Sequence, residues 1–368
     1  MPRHVRFVAL CILVVSTLGT SMAAEPSALF KMKIAGLRAA QIAPNEQEVA
    51  ALVCRIMQPG TLPAKIEIWN FRKRTLVRTR RFEVYIPSMV LNSFYVRYSA
   101  DGLLLAVYAG GRTVRVFRAS DLQELNQIPL DLSSAELSGF EISPSAHILA
   151  IRRSFDRGGD VRLYDLDSGR ELSSWAINKG FFDGPGLAWR GDGGQLAVAA
   201  PDHGPCTPSA GRIYVFHPGP TKPVNRFRVG FIPGGLAFGS DDRLYVASMT
   251  CGGYFAHWTT NLAIYDAETG KQVGKISARK VGIRNTIAIS GNKKILLAYA
   301  DRERTTFEGF EDTLKVRDAQ WQIRDLATRR MLFTIPATEY DRSSLSPSGR
   351  FLLILSPSGL RIFSVPSN

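Results

Sequence analysis

One unit recurs seven times between Ala43 and the C-terminus, and it constrains the fold more than any other feature of the chain. The unit is a short apolar strand, a tight turn, a second apolar strand, a variable connection and a third strand that alternates at period two. The turns read Ala43-Pro44-Asn45, Ser99-Ala100-Asp101-Gly102, Ser143-Pro144-Ser145, Arg190-Gly191-Asp192-Gly193, Gly239-Ser240-Asp241-Asp242, Ser290-Gly291-Asn292 and Ser346-Pro347-Ser348-Gly349. Gly, Asn and Asp tolerate positive φ and Pro presets its own φ, so these residues suit hairpin turns. The strand after each turn is apolar, as in 49–53, 103–107 and 351–355, which fits strands covered on both faces. The third strands alternate, as in Ile66-Glu67-Ile68-Trp69 and Val161-Arg162-Leu163-Tyr164.

The units start about 50 residues apart, a little more than the blade of a simple propeller, and no long helical periodicity competes. The expected fold is all-β: a seven-bladed β-propeller in one domain over 24–368. The last unit stops after its third strand, at Val365, while 29–34 alternates like a strand with no turn before it. That segment is expected to supply the outer strand of the last blade and so close the ring.

The pattern over 29–365 resembles bacterial exported WD-repeat-like and YVTN-type seven-bladed propellers, in the broad group that includes the heavy chain of quinoprotein amine dehydrogenases. The chain departs from the eukaryotic WD-repeat pattern: it lacks the repeated Gly-His dipeptide, and only Trp69-Asn70 comes near a Trp-Asp pair. The resemblance implies a fold, not an activity, because propellers host unrelated functions. It also implies that the connections between second and third strands share a face with the blade-to-blade connections.

Residues 7–18 form an apolar run preceded by Arg3 and Arg6 and followed by Ser21-Met22-Ala23, the three parts of a secretory signal in order. The run is short for a hydrocarbon core of roughly 30 Å, so cleavage after Ala23 is expected in preference to anchoring, with no transmembrane segment in the mature chain. Residues 1–23 are read as signal peptide and the protein as secreted or periplasmic. The formal charge is +14, and loss of Arg3 and Arg6 lowers it by two. Such a surplus favours an anionic partner, and export makes nucleic acid an unexpected one.

Of the cysteines outside the signal, Cys206 and Cys251 fall in the same connection of consecutive blades and are expected to form a disulfide in an oxidising compartment. A metal site using them with His203 and His257 is the competing reading, without CxxC or HxxxH spacing. Cys54 ends an apolar strand and reads as a core thiol. The connections between second and third strands are long in the fourth (201–212), fifth (249–261) and sixth (301–319) units, and long connections without a structural need often carry function. The candidate binding face comprises His203, Phe255, His257 and Trp258, the charged and aromatic Arg302, Arg304, Phe307 and Phe310 of the sixth unit, and Arg152, Arg153, Asp156 and Arg157, placed in the third unit's loop. Arg72, Lys73, Arg74, Arg78, Arg80 and Arg81 form a basic strip on the turn and outer strand of the first unit, read first as protection of an exposed edge and second as an anion-binding strip.

No GxSxG or CxxCH occurs, and Asp165-Leu166-Asp167-Ser168-Gly169 reads as a turn of the repeat, without the twelfth-position ligand of a calcium loop. No catalytic residue, cofactor or metal is expected. The chain reads as a monomeric, non-catalytic module for a protein or anionic envelope component. The alternative is a small-substrate propeller enzyme, lactonase-like or another hydrolase or isomerase, working at the channel mouth.

Overall fold

The computed structural model describes residues 26–55, 59–86, 94–132, 135–155, 158–178, 186–201, 211–219, 222–231, 233–239, 242–248, 261–277, 282–292, 294–308, 311–338 and 341–366. Their strands form seven antiparallel units of four arranged as a β-propeller. Blade 1 comprises Leu37–Ile42, Glu48–Cys54, Gly60–Asn70 and Thr75–Ile86, from the central channel outward. Blades 2 to 4 repeat the meander from Tyr95 to Pro129, Glu136 to Asn178 and Leu187 to Val229. Blades 5 (Pro233 to Ser277) and 6 (Gly282 to Pro336) touch through one parallel bridge, Ser248 to Arg284.

Blade 7 has Arg342–Leu345 innermost, then Phe351–Ser356 and Gly359–Ser364, and its outer strand is Phe30–Met32 from the other end of the chain. Phe30 pairs with Ile362 and Met32 with Leu360. The expected closure of the ring is therefore present, with a shorter strand than 29–34.

The core is a set of seams. Each of seven buried apolar clusters lies between two neighbouring blades, such as Leu52, Ile66, Val96 and Leu105 between blades 1 and 2, or Phe30, Val49, Phe71 and Leu353 between blades 7 and 1. Second strands contribute to seams on both sides, which is why they read as continuous apolar runs; all five residues of Leu104–Tyr108 are buried. Cys54 is buried in this core and free, and burial raises its thiol pKa against the pull of Arg38.

The repeated turn has a specific bonding pattern. Ser99, Ser290 and Ser346 are buried, and each hydroxyl accepts the backbone N–H five residues on, from Leu104 (2.9 Å), Ile295 (3.1 Å) and Phe351 (3.1 Å). The fourth turn position is left-handed in five blades: glycine in Gly102, Gly193 and Gly349, but Glu46 (φ 53°) in blade 1 and Asp242 (φ 55°) in blade 5. A left-handed non-glycine is strained, so Glu46 must be held by contacts.

Candidate binding face

A four-stranded meander puts its first and third turns at one end, and its second connection at the other together with the passage to the next blade. The wheel thus has a turn face and a connection face. The sixth blade dominates the described part of the connection face. Its second and third strands, Ile295–Glu308 and Glu311–Asp325, are 14 and 15 residues long. The inner strand follows only to Asp301 and the outer strand joins only at Gln320. Beyond those points the two pair with each other alone, from Arg302↔Arg317 to Glu308↔Glu311, after an irregularity between Ala300 and Arg302. Within the segment read as the loop 301–319, residues 302–308 and 311–317 therefore form a two-stranded ribbon reaching roughly 23 Å past the blade. It carries Arg302, Arg304 and Phe307 on one strand.

Arg152 and Arg153 correct the sequence reading. They lie on the second strand of blade 3, Ile148–Phe155, not in a loop, and both are buried. Arg153 sits directly across the ladder from Asp160 and bonds its carboxylate with two nitrogens, Nε at 2.7 Å, while also donating to the carbonyl of Asp131. The guanidinium thereby ties the strand to the passage from blade 2. Gly159, next to Asp160, lets the two strands approach closely here, because a Cβ there would stand 2.5 Å from the Arg153 carbonyl oxygen. Arg152 turns to the opposite seam beside Gly139, where a Cβ would meet Leu187 of blade 4 at 2.8 Å. Burial pushes the Arg152 guanidinium down to about 9.

Other arginines brace the same end. Arg38 donates to the Cys54 carbonyl at 2.9 Å, and Arg342 of blade 7 reaches past blade 1 to the Phe94 carbonyl of blade 2 at 3.4 Å. Asp341, itself buried, lies 3.6 Å from Arg361 and accepts from Thr338. Asp156, Arg157, His203, Phe255, His257, Trp258, Phe310 and the pair Cys206 and Cys251 lie outside the described residues.

Sequence reading missed a cluster on the turn face. His147 of blade 3 stands between Asp101 of blade 2 and Asp167 of its own blade, each carboxylate 2.8 Å from a ring nitrogen. Burial works against the charged ring, but the hydrogen bonds and charges of the two aspartates outweigh it and raise the pKa. Clefts of about 460 and 570 Å³ flank it. Both ring nitrogens are engaged, so the geometry is that of a cross-seam tie. Among the described residues no group of three His, Cys, Asp or Glu side chains is arranged to hold a metal. No helix among them is long and apolar enough to cross a membrane.

Arg72, Lys73 and Arg74 occupy the turn before the outer strand of blade 1, and Arg78, Arg80 and Arg81 lie on it. Arg78 is spoken for by Glu48 at 2.6 Å.

No family model matches the chain, and no curated protein does. A chain in the crystal structure of the mitotic checkpoint complex, a WD40-like propeller, is similar in fold: TM-score 0.60 at 18% identity, over 92% of this chain and 94% of that one. Solved structures with 1190 chains match, so the architecture is widely shared and selects no function.

Proposed function

We propose that the chain is an exported, non-catalytic binding propeller that holds a protein partner on its connection face. The ribbon of blade 6 carries this reading. A pair of strands that runs on past the rest of its sheet bonds only to itself, and such a projection is suited to gripping another surface. The excess of basic residues suits an acidic partner or envelope component. Export rests on the signal-like residues 1–23 and accords with the resemblance to exported bacterial propellers.

The test has two arms. The processed protein should begin at Ala24 and fractionate outside the cytoplasm; an unprocessed cytoplasmic chain overturns export. In cross-linking of the native host extract, the partner captured by the full chain should be lost when Glu303–Val316 is replaced by Asn-Gly, and kept when His147 on the opposite face is changed to Gln. Capture indifferent to the ribbon refutes the binding face. Stoichiometric metal in the purified protein would favour the channel-mouth enzyme instead.

A further inference from the structure

We propose that the outer strand of blade 1 is a second interaction surface, which takes an acidic, extended polypeptide segment as an added strand. Thr75–Ile86 is twelve residues long, roughly 40 Å, and ends its sheet, with one side of its backbone paired to no other strand among the described residues. The outer strands of the other blades run to eight residues at most. Those of blades 2, 3 and 6 carry no basic residue.

What sets this edge apart is cations beside exposed apolar residues; the outer strands of blades 2 and 3 expose Leu125 and Leu172 without any basic residue. Arg80 and Arg81 are exposed and have no ion-pair partner among the described residues, and Lys73 is exposed in the turn that precedes the strand. Leu76, Val77 and Tyr85 of the same strand are 45%, 43% and 55% exposed. An edge protected only against pairing would carry the charges without the exposed apolar residues. Open backbone gives affinity for a strand, the exposed Leu76, Val77 and Tyr85 give it apolar contact, and the cations of Arg80 and Arg81 give it a charge requirement. An anionic polymer would use the cations and leave the backbone and the apolar residues idle, so the observations favour an acidic peptide.

The probe is a fluorescent peptide of about twelve residues in which glutamate alternates with valine and threonine. Its anisotropy should rise on binding, and amide exchange across Thr75–Ile86 should slow. The same peptide methylated at alternate backbone nitrogens should fail to bind. The double variant Arg80→Glu, Arg81→Glu should weaken binding about tenfold or more, since both positions are exposed and repulsion replaces attraction. The ribbon-deleted chain should bind as the full chain does, which separates this surface from the connection face. Absence of peptide binding, equal binding of the methylated peptide, an unaffected double variant, or stronger binding of a heparin-derived oligosaccharide that displaces the peptide would each overturn the proposal.

Discussion

The two faces of the wheel are held by different chemistry. On the turn face neighbouring blades are stitched by many short polar contacts to turn residues. Asn126 of blade 2 donates to the carbonyls of Leu166 and Asp167 in blade 3, and Asn225 of blade 4 does the same to Ala267 and Glu268 in blade 5. Glu46 of blade 1 accepts from Ser348 N–H at 2.8 Å and from Arg350 at 2.6 Å in blade 7. On the connection face a few arginines do the bracing, several of them by donating to backbone carbonyls of the passages. A turn built from its own repeat can be stitched by its own repeat. Connections of unequal length cannot, and long side chains with several donors reach them instead.

This contrast predicts unequal damage. Arg153 and Asp160 are nearly sealed from solvent, with side chains 4% and 15% exposed. Asp160→Ala leaves the Arg153 guanidinium buried without its carboxylate, and should cost about 3–5 kcal/mol in urea unfolding. Replacing both partners, Arg153→Met with Asp160→Leu, should recover most of that loss. A loss below about 1 kcal/mol would mean that the connection face is not braced in this way.

The second prediction concerns the ring closure. Burial works against the Glu46 carboxylate, but hydrogen bonds from Ser348, Ser346 and Arg350 outweigh it and hold the pKa below its ordinary value. A group depressed on folding contributes stability above its unfolded pKa and loses it as pH falls through the folded value. Glu46→Gln should therefore cost about 1–3 kcal/mol near neutral pH and less under acid conditions. A penalty that grew with acidity would refute the latch. Glu46 also explains its own strained φ: the carboxylate bridges to blade 7, a contact that Gly102, Gly193 and Gly349 at the same turn position cannot make.

The fold was legible because the period of the turns and the apolar second strands are local signals, and each seam simply joins neighbours in sequence. The closing strand was legible from Phe30 and Met32 alternating with Lys31 and Lys33. The arginines of blade 3 were misplaced because a charged pair usually marks a surface. What keeps Arg153 on a buried strand is Asp160, and only the ladder register puts them face to face. The ribbon was hidden because its residues alternate without an apolar face, the signal that marks a strand packed on a core. Nothing in the spacing of Asp101, His147 and Asp167 announced their meeting, since the contact crosses a seam.

His147 gives the next test, with the opposite pH sign. Burial works against the charged ring, but Asp101 and Asp167 outweigh it and raise its pKa. A group raised on folding contributes below its unfolded pKa and loses that contribution as pH rises through the folded value. The site is partly exposed, so His147→Gln should cost only about 0.5–1 kcal/mol at about pH 6. The difference from the native chain should shrink at about pH 9, when the imidazole can donate to only one aspartate. A penalty constant across that range would make His147 an ordinary packing residue.

The smallest effect is expected where the functional claim is largest. Replacing Glu303–Val316 by Asn-Gly removes only residues that pair with each other, since the inner and outer strands of blade 6 do not follow them there. The unfolding free energy should stay within about 0.5 kcal/mol of the native value. A loss of several kcal/mol would show that the ribbon is structural and would remove the reason to regard it as a grip. An unchanged stability with a lost partner would separate binding from folding, because residues kept without contributing to the fold must be explained by what they touch outside it.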